Sequence, residues 1–274
     1  MSEAAVAAVS VRDALARAGA QLARAGCDTP SLDAELLLAS VLEVDRGRLV
    51  RDAADPVDGL ALASFEQLTA RRVAREPIAY ILGRKAFRRI ELAVDPRVLI
   101  PRPETELLVE VGLTLPRGAR VVDVGTGSGA VALALKDERP DLDVTGTDTS
   151  SDALAIAEAN AKLLALDVSF RRADLTGAGA YDAVLANLPY VADGASLPPE
   201  IALYEPAEAL FGGPDGLEVI RRLVASVGEV PLLALEVGFD QADVVAALLS
   251  DAGFETVERL QDLAGHERVV AARR

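Results

Sequence analysis

Four consecutive residues combine the groups needed to hold a planar NH2 group: Asn187, Leu188, Pro189 and Tyr190. The Asn187 side-chain oxygen and the Leu188 main-chain carbonyl can accept its two N–H bonds, while the Tyr190 ring can pack on its plane. Those hydrogen bonds draw the nitrogen toward tetrahedral geometry and aim its lone pair at a methyl group, and Pro189 stiffens the loop. The tetrapeptide therefore favours methyl transfer to an amide or amino nitrogen.

A glycine-rich turn earlier in the chain is the second candidate site. Residues 121–124 predict a strand, which runs into Gly125, Thr126, Gly127, Ser128 and Gly129. The glycines let a ligand approach the main chain closely, and the helix predicted next offers free N–H groups. The turn therefore predicts a nucleotide-type ligand. Dinucleotide-binding turns look similar, but their usual spacing is G-x-G-x-x-G, whereas this one is G-x-G-x-G.

Three aspartates follow predicted strands and are candidate ligands of the same molecule. Asp148 ends the next strand, where a carboxylate can accept hydrogen bonds from both ribose hydroxyls; the alternative is a surface aspartate that closes a strand. The glycine turn at this spacing favours ribose binding. Asp174 fits either a place near an adenine ring or a turn. Asp123 either orients the glycine loop or faces the charged end of the ligand.

The elements that position these residues alternate between strands and helices from residue 120 onward. Predicted strands cover residues 121–122, 144–146, 168–171, 183–186 and 232–236, predicted helices cover residues 130–136, 151–164, 216–227 and 240–252, and two final strands lie around Thr256 and Val269. Such alternation predicts a parallel sheet with helices on both faces. Ligands bind beyond the carboxyl ends of such strands, where the tetrapeptide lies.

The first hundred residues have a different pattern. Apolar spacing and capping signals predict helices over residues 11–25, from Pro30 through Leu38, and over residues 59–75. Residues 78–100 look β-type, with residues 80–82 and then Ile90, Leu92 and Val94 as a hairpin. A further helix is expected from Pro103 to about residue 115. A small helical module therefore precedes the α/β part.

Composition excludes several classes of chemistry. One cysteine, Cys27, and one histidine, His266, are too few for a structural zinc site or a disulfide framework, so we expect no metal. A net charge of −15 argues against nucleic-acid binding, which needs a basic face. No basic leader and no bilayer-length apolar run is present, so we expect a cytoplasmic protein that does not associate with membranes.

Beyond single motifs, nearly the whole chain resembles the HemK/PrmC family of protein-glutamine N5-methyltransferases. Residues 100–106, IPRPETE, look like the family's entry to the catalytic domain, and residues 125–130 resemble its cofactor loop. Residues 204–217 match the long loop that follows the catalytic tetrapeptide. The family's usual tetrapeptide is Asn-Pro-Pro-Tyr, so Leu188 replaces a proline but keeps the main-chain carbonyl there. The form Asn-Leu-Pro-Tyr is similar to that of ribosomal-RNA adenine dimethyltransferases.

The resemblance implies a cofactor, a substrate and an organisation of the chain. It implies S-adenosylmethionine as methyl donor, S-adenosylhomocysteine as product, and the glutamine of the Gly-Gly-Gln motif in class I peptide chain release factors as substrate. Leu175 stands where some members place a tryptophan near the adenine. The expected fold is a Rossmann-like class I methyltransferase with a seven-stranded mixed sheet. We expect a monomer with a release-factor-binding helical bundle over residues 1–78, a hairpin linker over 79–100 and a catalytic domain over 101–274.

Three alternatives remain open on the sequence. An adenine-N6 nucleic-acid methyltransferase shares the Asn-x-Pro-Tyr chemistry, but it should carry a basic face. A nicotinamide-dependent oxidoreductase explains the glycine turn and Asp148 and leaves the tetrapeptide without a role. A non-catalytic adaptor would bind a translation factor and transfer nothing.

Overall fold

The structure, a computed structural model, describes residues 9–274. Its helices are Val11–Arg24 (α1), Pro30–Leu42 (α2), Arg46–Arg51 (α3), Gly59–Val73 (α4), Ile78–Leu82 (α5), Glu106–Leu113 (α6), Ala130–Glu138 (α7), Ser151–Leu164 (α8), Pro199–Tyr204 (α9), Glu218–Ser226 (α10) and Ala242–Asp251 (α11). Two 3-10 turns cover Pro103–Thr105 and Ala207–Ala209. Its strands are Arg84–Phe87 (β1), Ile90–Ala93 (β2), Arg120–Val124 (β3), Asp143–Asp148 (β4), Ser169–Arg172 (β5), Ala183–Ala186 (β6), Leu232–Glu236 (β7), Thr256–Gln261 (β8) and Glu267–Arg273 (β9).

By its contacts the chain divides into two units. One comprises the described residues up to Gly83 together with Pro198–Tyr204, and the other comprises Arg84–Leu197 and Glu205–Arg274. The predicted boundaries at residues 78 and 100 stay a prediction, and residues 1–8 of the predicted helical bundle lie outside the described residues. The segment that carries α9 therefore belongs by its contacts to the helical unit, although the sheet unit flanks it in the chain.

The helical unit encloses a core of its own. Leu22, Leu37 and Phe65, from α1, α2 and α4, are all buried within it. Ser10 caps α1 by accepting the Asp13 N–H, and Asp58 caps α4 by accepting the Leu60 N–H. The three helices predicted here are confirmed. The sequence indicated them because their apolar residues recur at helical spacing.

One local prediction in this region is wrong. Residues 80–82, interpreted as β-type, form the end of α5. Gly83, interpreted as a break between strands, adopts a φ of +70° and closes the helix with its N–H. A left-handed glycine is a common helix ending, and three adjacent apolar residues have no period that separates strand from helix. The hairpin itself consists of β1 and β2.

The second unit is built on a seven-stranded sheet of order β5-β4-β3-β6-β7-β9-β8. The first five strands in that order pair in parallel, and β9 pairs antiparallel with both β7 and β8. The central strands β6 and β7 are buried throughout, as expected for a sheet covered on both faces. The predicted seven-stranded mixed sheet is therefore confirmed.

The register of the sheet decides which side chains meet at its carboxyl edge. Val124 at the end of β3 pairs with Thr147 on one side and with Ala186 on the other, and Ala186 pairs with Leu235. The residues that come next in these four strands are Gly125, Asp148, Asn187 and Glu236. They therefore lie side by side in one row.

A single buried amide ties the hairpin to the glycine turn. The Asn160 side chain of α8 is fully buried, accepts the Ala93 N–H at 2.8 Å and donates to the carbonyls of Ala93 and Ser128. Its side-chain oxygen and nitrogen therefore both form hydrogen bonds with main-chain atoms, and these bonds hold the loop at 125–129 in place.

None of the helices over residues 9–274 is both long enough and apolar enough to cross a membrane.

Candidate active site

A cleft opens at the carboxyl edge of the sheet and contains most of the predicted site. Eight predicted residues line it: Gly125, Gly127, Asp148, Asp174, Leu175, Asn187, Leu188 and Pro189. Four others do not, namely Thr126, Ser128, Gly129 and Tyr190. The three loop residues face inward and shape the turn, so whether they contact a ligand stays a prediction.

The glycine turn brings main chain to the floor of the cleft. Gly125 and Gly127 have φ angles of +71° and +54°, which favour glycine. A Cβ at residue 125 would lie 3.4 Å from both the Asn187 carbonyl oxygen and Leu188 Cδ2. The turn and the tetrapeptide therefore lie in close contact with each other.

Asp123 acts as the internal support of this turn. It is 2% exposed, accepts the Thr126 hydroxyl at 2.6 Å and accepts the Ala132 N–H at 3.2 Å. Burial raises its pKa to about 6. Of the two roles left open for Asp123, the geometry matches orientation of the glycine loop.

Asp148 is held at the mouth of the cleft by two main-chain donors. Its Oδ2 accepts the Gly127 N–H at 3.0 Å, and its Oδ1 accepts the Ser150 N–H at 2.9 Å. An ionised carboxylate has about four lone-pair sites, so both oxygens can still accept hydroxyl hydrogen bonds. This is the arrangement expected of a ribose ligand.

The far wall of the cleft contains Asp174 and Leu175. Leu175 adopts a φ of +56°, and its carbonyl accepts the Thr147 hydroxyl at 2.7 Å, which holds the side chain at the wall. Asp174 is exposed and forms an ion pair with Arg222 of α10. The wall is therefore apolar beside Leu175 and charged at its rim.

Asn187 is oriented by a residue that the sequence did not indicate. Its Nδ2 donates to Thr105 Oγ1 at 3.0 Å, so the Oδ1 of the same amide is left for another partner. The Leu188 side chain, 5% exposed, packs into the core beneath the glycine turn. Asn187, Leu188 and Pro189 therefore border the cleft, while the leucine side chain fills the space below the turn.

Tyr190 is held at both ends. Its carbonyl accepts Gln241 Nε2 at 2.9 Å, and its hydroxyl donates to Glu236 Oε1 at 3.2 Å. Burial, together with the nearby Glu236, raises the pKa of the phenol. Sequence reasoning missed Thr105, Glu236 and Gln241. Of these three, Glu236 could have been found from the sequence, because it is a carboxylate at the end of an otherwise apolar strand.

The donor set of the cleft fits S-adenosylmethionine. Glycines without side chains line the floor, the Asp148 carboxylate can hold ribose hydroxyls, and Leu175 offers an apolar wall to a purine. Among the described residues no cluster of histidine, cysteine, aspartate and glutamate could hold a metal ion.

Fold and sequence comparisons agree with this geometry. A methyltransferase from Pyrococcus furiosus superposes with a TM-score of 0.54 at 17% identity, covering 76% of this chain and 98% of that one. Residues 103–202 match the family described as methyltransferase small domain, and residues 13–83 match the PrmC N-terminal domain. The fold and the site define a class I methyltransferase of the Rossmann-like type, with S-adenosylmethionine as methyl donor.

Full-length relatives identify the family. The release factor glutamine methyltransferase of Mycolicibacterium smegmatis is 43% identical over 96% of this chain and 98% of its own length. That of Deinococcus radiodurans is 40% identical over 97% of this chain and 99% of its own length. The chain belongs to the release factor glutamine methyltransferase family, which confirms the resemblance drawn from its motifs.

Proposed function

We propose that the protein methylates N5 of the glutamine in the Gly-Gly-Gln motif of class I peptide chain release factors. The observation that carries this proposal is the orientation of Asn187. Because its Nδ2 donates to Thr105, its Oδ1 is left to accept an N–H from a substrate amide at the cleft. The relatives' shared name supports a release factor as the protein substrate.

The residues of this chain contribute mainly by positioning. Bound S-adenosylmethionine supplies an activated methyl group on a sulfonium. The Asn187 Oδ1 and the Leu188 carbonyl accept the two N–H bonds of the glutamine amide and aim its lone pair. Pro189 restricts that amide from the cleft wall, and Tyr190, held by Glu236 and Gln241, fixes the loop that carries it. Gly125, Gly127, Asp148, Asp174 and Leu175 hold the cofactor, with Asp148 on the ribose and Leu175 beside the adenine.

A protein substrate fits the charge of this chain better than a nucleic acid. With a net charge of −15, the protein would repel a phosphate backbone unless a local basic groove existed. The adenine-N6 reaction is the second candidate, because the same tetrapeptide can hold the exocyclic amine of adenine.

Three further assignments belong to the same proposal. The helical unit grips the release factor, since it is a separate unit by its contacts and is matched by a separate family domain. The protein acts as a monomer in the cytoplasm, where translation factors are found. It binds no nucleic acid directly.

Two parallel reactions test the proposal. The enzyme is incubated with labelled S-adenosylmethionine and a purified class I release factor in one reaction, and with labelled S-adenosylmethionine and total bacterial RNA in the other. Label on the release factor alone supports the proposal, and label on RNA alone replaces it with the adenine reaction. Salt-sensitive RNA binding would point the same way as the second outcome.

A further inference from the structure

A buried carboxylate stands directly behind the tetrapeptide. Glu236 ends β7, is 1% exposed and follows four apolar residues of the same strand. Its Oε1 accepts the Tyr190 hydroxyl at 3.2 Å, while its Oε2 is buried and has no partner at hydrogen-bonding geometry among the described residues. An incompletely satisfied buried carboxylate is costly, so its retention beside the site calls for a function.

Thr105 stands between this carboxylate and Asn187. It is 4% exposed, and its Oγ1 accepts the Asn187 Nδ2. Its hydroxyl also interacts with Glu236, where it favours the ionised form of that carboxyl and lowers its pKa. A threonine hydroxyl has one proton to donate, and the Glu236 carboxylate, whose Oε2 has no other partner among the described residues, can accept it.

The direction of the Thr105 proton decides which end of the Asn187 amide reaches the substrate. A hydroxyl that donates to Glu236 presents only lone pairs to Asn187, which must then turn its NH2 group toward Thr105. The Asn187 oxygen is consequently left for the cleft. If the hydroxyl proton pointed at Asn187 instead, the amide would flip and present its NH2 group to the NH2 group of the substrate.

We infer that Thr105 and Glu236 are positioning residues that set the amide orientation of Asn187, with the Glu236 carboxylate accepting both the Thr105 and Tyr190 hydroxyls. This inference rests on the proposed function in one respect, namely that the Asn187 oxygen binds the substrate amide. The orientation itself can be measured without any substrate.

The charge state of Glu236 changes within an accessible pH range. Burial raises its pKa to about 7; Glu104 adds to the rise, while Arg268 and the Thr105 and Tyr190 hydroxyls oppose it. Below that pH the carboxyl carries a proton of its own and no longer requires both hydroxyls as donors. The Thr105 proton is then released toward Asn187, so the productive orientation is lost as the pH falls through 7.

Asparagine-selective ¹⁵N labelling tests the orientation directly. The chain contains only two asparagines, Asn160 and Asn187. The two side-chain NH2 pairs can therefore be assigned by comparison with Asn187→Asp. We expect the Asn187 pair to titrate near pH 7 in the intact protein, to stop titrating in Glu236→Gln and to shift in Thr105→Val. The Asn160 pair, bonded to main chain, should stay constant and report that each variant is folded.

Kinetics on the release factor test the consequence. Thr105→Val should lower kcat at least about tenfold with an unchanged KM for S-adenosylmethionine, and Thr105→Ser should recover it to within about threefold. The wild-type kcat should rise with pH through 7, whereas Glu236→Gln should be slow at every pH. Glu258→Gln, an exposed carboxylate on β8, is the matched control and should follow the wild type.

Two results would overturn the inference: an Asn187 pair that is unchanged in both Thr105→Val and Glu236→Gln, or a Thr105→Val enzyme with normal kcat. Failure of the proposed function looks different. In that case the Asn187 pair responds to both substitutions as expected, but no release factor is methylated.

Discussion

The Gly127 N–H donates to Asp148 Oδ2 at 3.0 Å, which joins the glycine turn and the acidic strand end into one site. Twenty-one residues separate the two in the chain, and the pairing of β3 with β4 brings them together. The Asp148 carboxylate is thus oriented before any ligand arrives, and a preorganised acceptor loses little entropy when a ribose binds.

Asp148→Ala should weaken S-adenosylmethionine binding by about ten- to a hundredfold, since two hydroxyl hydrogen bonds to a charged acceptor are lost. Titration calorimetry measures the change. Asp243→Ala is the matched control, because Asp243 is exposed, pairs with Arg259 on the surface and does not line the cleft, so the affinity of this variant for S-adenosylmethionine should stay within about threefold of the wild type. Equal losses in both variants would contradict the assignment of the ribose to Asp148.

Asn187→Ala should lower kcat by about a hundredfold or more while leaving the cofactor Kd nearly unchanged. In the proposed mechanism the Asn187 oxygen binds the reacting amide, whereas Asp148 and the glycine turn hold the cofactor. Single-turnover transfer from labelled cofactor, with the Kd measured in parallel, separates the two effects. Normal turnover in this variant would contradict the proposed role of Asn187.

Stability should depend on pH through Glu236. Its folded-state pKa lies above the unfolded value, so its stabilising contribution is complete below pH 4.5 and is lost as the pH rises through 7. Glu236→Gln lacks this titration and should gain up to about 3 kcal/mol relative to wild type between pH 4 and pH 8. Denaturant unfolding of both proteins across that range measures the difference. A constant difference would show that Glu236 does not titrate there.

Two neighbouring arginines of α4 should differ sharply in their contribution to the unfolding free energy of the helical unit. Arg72 is buried and donates to Asp33, itself 3% exposed, at 2.7 Å, and also to Glu200 at 3.0 Å. Arg72→Ala leaves Asp33 buried without its charge partner and should cost about 3–5 kcal/mol of unfolding free energy.

Arg71→Ala is the matched control for that experiment. Arg71 pairs with Glu76 on the surface, so its loss should cost less than about 1 kcal/mol. Denaturant unfolding followed by circular dichroism measures both. Similar costs for the two variants would show that the Arg72 network does not stabilise the unit.

The sequence predicted most of the sheet unit because its central strands are short apolar runs that alternate with periodic helices. Strand Ala183–Ala186 and helix Ser151–Leu164 have the predicted bounds for that reason. The β-type prediction for residues 80–82 failed because their helix is a single turn, defined by Pro77 before it and Gly83 after it. The short helix Pro199–Tyr204 was also not predicted, since six residues carry no usable period.

The convergence of the glycine turn and Asp148 on one cleft was predictable, and the support behind the tetrapeptide was not. Gly125, Gly127 and Asp148 follow strand ends at a spacing that the chemistry of nucleotide binding requires. Thr105 bonds Asn187 across 82 positions of sequence, a contact that no local pattern indicates. Glu236 could have been suspected from its place in an apolar strand, but its partner Tyr190 becomes evident only from the register of the sheet.

The most direct test of the central claim is methyl transfer to a purified class I release factor, with the site located by mass spectrometry of the digested product. The parallel substrate is the same factor with its Gly-Gly-Gln glutamine changed to alanine. We predict one methyl group on that glutamine and none on the altered factor. Methylation of both factors alike, or of neither while the enzyme still binds S-adenosylmethionine, would contradict the proposed substrate.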